Sequence, residues 1–249
     1  LVRFGDGEDD YNLPYLGSPM WDRPFENLGR MTARDWGNGA GALSSSSAWK
    51  TALLGAGAVL GSAVLDRSVS RSVDRHPGSR ALDMLDGFGK WLPVAAMGGA
   101  GVAALSEQDR RFGNTGIAAI QAGATGLFAN LGIKYAVGRA RPVDEKGPAD
   151  FEPFRRSGSS FPSNHATVTW AAVTPFAKEY DAPWLYGIAA LANAGRIASR
   201  EHWLSDTVAS SLLGFAIGDF FWQERRKPDD KGPKVLVGPA SVTLKWETK

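Results

Sequence analysis

The chain has 249 residues, 43% of them hydrophobic and 22% charged, with no cysteine and a formal net charge of +2. Those figures exclude a disordered chain, a collagen-like repeat and a disulfide or thiolate-metal scaffold. With a pI of about 8.9 the balance is also too near neutral for nucleic acid to be the main partner, because phosphate-backbone binding shows as a basic excess or stripe.

Residues 1–47 are polar and rich in Gly and Pro, and they read as an irregular arm with one short helix near Pro24–Asp35. The chain opens on Leu1 without the charged start and apolar run of a leader, so a trimmed or processed form is expected. From there to about residue 223, apolar stretches of helical length alternate with short polar connections. They predict an all-α domain over 48–223, a compact bundle of about six core helices near 48–65, 79–105, 108–138, 164–179, 182–198 and 203–223. One long connection, 143–163, interrupts them, and long loops in compact domains are more often functional than accidental. Residues 224–249 read as a charged linker followed by a short β-like tail, where Val235, Val237, Val242 and Leu244 alternate around Gly238-Pro239.

A membrane-spanning helix needs about 20 apolar residues. Only Phe112–Ile133 runs that far without a charge, and it carries Asn114, Thr115, Gln121, Thr125 and Asn130. The expectation is therefore a soluble bundle with at most a membrane-surface contact, exported or periplasmic because it lacks cysteine. Trp21, Trp36, Trp49 and Trp91 are expected to be packing residues.

Three blocks carry chemistry. In the first, Lys134 and Arg141 are seven residues apart, two helical turns along one face, and Pro142 ends the helix. In the second, Ser163 stands just before an apolar run and makes a good N-cap, so the free N–H groups of the next turn form an anion site beside His165. In the third, His202 and Asp206 are four apart, which lets the carboxylate orient the imidazole, with Arg196 six residues upstream. Arg139, Arg155 and Arg156 are expected on a solvated loop or helix face, and His76, in a turn before Pro77-Gly78, is expected to have no role.

In this order, Lys134 with Arg141-Pro142, Pro162-Ser163-Asn164-His165, and Arg196 with His202 and Asp206 resemble the signature of the type 2 phosphatidic acid phosphatase superfamily. That superfamily groups class A acid phosphatases, lipid phosphate phosphatases and vanadium-dependent haloperoxidases on one helical fold. The resemblance implies that His202 is a nucleophile forming a phosphohistidine, that Asp206 orients it, and that His165 protonates the leaving oxygen and then activates water. It also implies that Lys134, Arg141, Ser163, Asn164 and Arg196 hold the phosphate oxygens. Three cations and helix-end N–H groups can supply the charge stabilisation that Mg²⁺ supplies elsewhere, so no metal or other cofactor is expected, and vanadate is expected to bind as a phosphate mimic.

Two positions depart from the pattern. Asn164 stands where Gly is usual, and as a residue tolerant of unusual backbone angles it is expected to keep the phosphate-facing N–H. Gly195 stands where Ser is common, which removes one supporting hydrogen bond and lowers efficiency. The expected function is a metal-independent phosphohydrolase acting on phosphomonoesters or diphosphates of small molecules or lipids. A vanadium haloperoxidase and a non-catalytic phosphate-binding protein are the alternatives.

Overall fold

Helical periodicity in the sequence becomes eight helices in the computed structural model, which describes residues 24–43, 46–106, 108–154, 158–226, 234–238 and 241–245. They are α1 Pro24–Leu43, α2 Ser46–Ala63, α3 Asp66–Asp74, α4 Arg80–Ala104, α5 Arg110–Val137, α6 Asn164–Glu179, α7 Leu185–Ala198 and α8 Leu204–Arg226. The six expected core helices are present as α2 and α4 to α8, in an all-α fold. The tail forms the expected hairpin, β1 Lys234–Gly238 against β2 Ser241–Lys245, antiparallel with Val235 opposite Leu244 and Val237 opposite Val242.

The short helix expected near Pro24–Asp35 continues to Leu43, and its inner face joins the bundle. Met31 is fully buried with Ile117 of α5 and Ala104 of α4, and the buried Asp35 pairs with Arg225 of α8. Residues 24–43 are thus not an irregular arm; residues 1–23 lie outside the described residues. Helix α3, bent 44° from α2, is an element that the sequence pattern does not predict.

Helix α6 is the hub, packed on α5, α8, α7 and α4, while α4 also packs on α7 and α5, and α2 on α8. Small residues permit this closeness. A Cβ on Gly214 would lie 2.5 Å from the Thr167 carbonyl oxygen and one on Gly218 2.6 Å from the Thr174 Cβ, so α8 approaches α6 only through its glycines.

The size pattern inverts that of a water-soluble core. Among the described residues, thirteen of the seventeen buried hydrophobic ones are alanine, whereas Leu53, Leu54, Leu60, Val64, Met84, Trp91, Val94, Val102, Leu105 and Phe128 are exposed. On α4, Met84, Phe88, Trp91, Val94, Val102 and Leu105 line the open side for about 30 Å, the thickness of a bilayer's hydrocarbon core. Helix α5 is long and apolar enough to cross a membrane, and α2 with α3 passes the same test as a bent pair. Small residues at helix contacts and large apolar ones facing outward are how helices pack in lipid, where burial of apolar side chains gains nothing over lipid exposure. These observations overturn the expectation of a soluble, periplasmic chain and favour an integral membrane protein. Trp49 and Trp91 accordingly point outward, at 65% and 70% exposure, instead of packing inside. Trp36 is also exposed, its indole N–H donating to Thr125 Oγ1, and Trp21 lies outside the described residues.

Candidate active site

The site forms where α5 and α7 end and α6 and α8 begin. Lys134 lies in the last turn of α5, its Nζ donating to the Ser159 carbonyl at 2.6 Å. The helix then stops at Gly138, which caps it in the left-handed region at φ 62°. A Cβ there would sit 1.7 Å from the Glu152 carbonyl oxygen, so both backbone angle and space demand glycine. Arg141 therefore does not lie two helical turns beyond Lys134. It arrives on an extended segment held by Ala140 N–H donating to Asp150 O (2.9 Å), Ser160 N–H to Arg139 O (2.7 Å) and Trp203 Nε1–H to Ala140 O (2.8 Å).

Ser163 caps α6 as expected, its Oγ accepting from Ala166 N–H at 3.4 Å while its own N–H donates to Ser210 Oγ at 2.7 Å. The N–H groups of Asn164 and His165 are the first two of the helix and have no acceptor within it. Asn164 is an ordinary helical residue and needs no unusual angle. Its side-chain oxygen accepts from Asn130 Nδ2 at 2.5 Å, and Asn130 also donates to Pro162 O at 3.1 Å and accepts from Thr167 Oγ1 at 3.0 Å. Asn130, one turn before Lys134 on the same face, thus braces the turn that carries Ser163 to His165. In the sequence Asn130 reads only as a polar interruption of an uncharged run.

Gly195 has a packing reason. A Cβ at this position would lie 2.2 Å from Leu85 O and 2.4 Å from Gly89 N, where α7 crosses α4 glycine against glycine. A serine would push the helices apart and shift the neighbouring Arg196, so the expected loss of a supporting hydroxyl is not the relevant effect. Gly195→Ser is predicted to lower thermal stability by about 1–3 kcal/mol, the usual cost of overpacking, and to lower activity; a thermal melt in detergent measures the first.

His202 is buried in the turn between α7 and α8, with its N–H donating to Arg196 O at 3.2 Å. Its Nδ1 faces Asp206 Oδ2 at 3.7 Å, an ion-pair separation longer than a direct hydrogen bond. Burial, partly offset by Asp206, holds this imidazole below its ordinary range, so the ring is neutral at neutral pH. Asp206 is itself fixed: Oδ2 accepts from Trp203 N–H at 2.8 Å and Oδ1 from Arg139 Nη1 at 2.5 Å.

Arg139 is not on a solvated face. It is buried, donating also to Ser205 Oγ (2.8 Å), Asp66 Oδ2 (2.7 Å) and Pro148 O (2.8 Å). Asp66, the first residue of α3, in turn accepts from Ser205 N–H at 2.9 Å and Ser205 Oγ at 2.6 Å. The start of α8 is thus filled by the chain's own carboxylates, while His165 in the first turn of α6 lies within electrostatic reach of Arg196 and Lys134.

The nominated cations converge. Lys134 lies within electrostatic reach of Arg141, Arg196, Asp206 and Glu201, and His165 within reach of Arg196, His202, Glu201 and Lys134. Arg141 pairs with Glu201, whose Oε2 is also 3.7 Å from Arg196 Nη2. Among the described residues the buried Nε atoms of Arg141 and Arg196 have no hydrogen-bond partner. All eight nominated residues therefore gather at one end of the bundle. His76 is exposed, with Nδ1 2.8 Å from Ser72 O, and has no place there; Arg155 and Arg156 lie outside the described residues. An apolar cavity of about 600 Å³ between Ala96, Phe112, Phe176, Tyr180 and Trp184 lies toward the other end of α6.

Comparison with known proteins agrees with the motifs. Residues 115–228 match the model of the PAP2 superfamily. A lipid A 1-phosphatase of Porphyromonas gingivalis is 32% identical over 104 residues, 39% of this chain, and the chain spans about a fifth (21%) of that relative's length. Among solved structures, a transmembrane PAP2-type phosphatidylglycerolphosphate phosphatase from Bacillus subtilis aligns over 79% of this chain and 91% of that one, at 15% identity and a TM-score of 0.46. Residues 115–228, the stretch that matches the PAP2 superfamily, carry every one of the eight nominated residues.

Proposed function

We propose that the chain is a phosphohydrolase acting on the phosphomonoester or diphosphate of a membrane lipid, through a phosphohistidine at His202 and without a metal ion. The observation that carries this reading is the meeting of Lys134, Arg141 and Arg196, delivered by three different elements, around a buried His202 backed by Asp206. Lipid as the substrate class is supported by the apolar outer surface of the bundle and by the lipid A phosphatase relative.

In the first step the Nε2 lone pair of His202 attacks phosphorus in line with the leaving oxygen, with Nδ1–H facing the Asp206 carboxylate 3.7 Å away. A P–N bond forms as the P–O ester bond breaks, and His165, its pKa held down to about 4 in the free site by burial and the nearby Arg196 and taking up a proton as the bound phosphate's negative charge offsets that cation, gives its proton to the departing oxygen. The three cations and the N–H groups opening α6 hold the equatorial oxygens, where negative charge is spread in the transition state. In the second step His165 takes a proton from water, the water oxygen bonds to phosphorus, and the P–N bond breaks to return His202 and inorganic phosphate.

A phosphate-release panel tests the reading. Lipid monophosphates and diphosphates in mixed micelles are expected to be hydrolysed in excess chelator, and faster than soluble sugar or nucleoside phosphates. Release that requires an added divalent cation, or none from any lipid phosphate, would overturn it.

A further inference from the structure

One charge in the site has no part in the chemistry above. Glu201 precedes His202, and its half-buried carboxylate lies between the two arginines, paired directly with Arg141 Nη1 and 3.7 Å from Arg196 Nη2. This is where the equatorial oxygens of a bound phosphoryl group belong if the site is a phosphate site, the reading on which this inference rests. Arg196 has a second carboxylate, Asp86 of α4, at 4.0 Å, but Asp86 is also paired with Lys90 at 2.5 Å and reaches only one of the two arginines. Among the described residues Glu201 alone bridges both.

We propose that Glu201 is a resident anion of the phosphate cradle, displaced by ligands carrying two negative charges and not by those carrying one. The physical reason is an exchange balance. Glu201 is tethered to the backbone beside the site, so it competes at a high effective concentration. A monoanionic phosphodiester would replace one negative charge with one, gaining nothing electrostatically and losing the tether. A phosphomonoester dianion or a diphosphate adds at least one charge against Lys134, Arg141 and Arg196, and it can use the unpartnered Nε donors of both arginines. Glu201 thereby makes the cradle selective for terminal phosphates over the internal phosphodiesters of ordinary membrane lipids. It also speeds product release by refilling the cradle.

Calorimetric titration of the detergent-solubilised full chain at pH 8 with inorganic phosphate and with dimethyl phosphate tests this. Wild type is expected to bind phosphate and to bind dimethyl phosphate far more weakly. Glu201→Gln, which keeps shape and removes the charge, is expected to bind phosphate about tenfold more tightly and to gain at least as much for dimethyl phosphate. Glu201→Asp, too short to bridge both arginines, is expected to fall between. Asp86→Asn is the control for a general change of field and is expected to shift either affinity by less than about threefold. Unchanged or weaker phosphate binding in Glu201→Gln overturns the proposal, and so does an equal gain in Asp86→Asn. Both results leave the phosphate site standing, whereas failure of wild type and all variants to bind phosphate removes the site itself.

Discussion

His202→Ala is expected to abolish phosphate release, lowering turnover by about 10,000-fold or more, with the fold retained. The imidazole is buried but not a structural tie: its Nδ1 has no hydrogen-bond partner among the described residues and stands 3.7 Å from Asp206. Asp206 keeps its bonds from Trp203 and Arg139 when the ring is removed. The loss is therefore one of chemistry, because water must then attack directly on a phosphoryl group that the cations still hold. Retained vanadate binding by the variant separates this outcome from a collapsed site. The wild-type pH profile supplies a second reading. Burial holds His202 below its ordinary range, and the neutral ring is the nucleophile, so the acid limb of kcat/KM that belongs to it lies below about pH 6.5. Turnover within tenfold of wild type in His202→Ala would overturn the phosphohistidine route.

Much of the site was legible because its residues follow local rules. Ser163 reads as an N-cap from the apolar run behind it, and His202 and Asp206 read as a pair from their spacing. Arg141 lies off the face of Lys134 because of Gly138, since a glycine after a helical run is a stop signal that moves everything beyond it off the helix face. Arg139, Asp66 and Gly195 were beyond local reasoning. Asp66 meets Arg139 across 73 positions, and Gly195 owes its identity to Gly89 on a different helix, so neither contact leaves a pattern within one segment.

The membrane reading failed for a related reason. Counting uncharged runs cuts α4 at Asp86 and Lys90, yet these two neutralise each other at 2.5 Å, and the apolar stripe from Met84 to Leu105 runs past them. A stripe in a sequence reports that one side of a helix is apolar. Whether that side meets protein or lipid depends on the sizes of the residues packed on the opposite side, which only the assembled bundle reveals.

Arg139→Met is expected to destabilise the protein by about 3–5 kcal/mol, the cost of leaving buried carboxylates without their counter-charge. Arg139 stands between Asp66 and Asp206, both essentially inaccessible to solvent, and reaches them at 2.7 Å and 2.5 Å. Methionine retains much of the volume under the Trp203 and Phe151 rings but none of the donors. Two negative charges then share a dry site, and the cheapest relief is for one carboxyl to take a proton. If Asp206 takes it, His202 loses the partner that fixes its tautomer; if Asp66 does, the start of α8 loses its cap. Either displacement tilts the nucleophile, so kcat is expected to fall by about 100-fold with little change in KM. Arg139→Lys retains one charge but cannot fork to both carboxylates, and it should fall between. The decisive comparison is the double variant. Adding Asp66→Asn to Arg139→Met removes one of the two stranded charges, so it is expected to recover part of the lost thermal stability while leaving kcat low. No recovery, or a single Arg139→Met variant as stable as wild type, would show that Arg139 does not hold the two carboxylates together. A stable variant with full kcat would show further that Asp206 needs no outside support to hold His202.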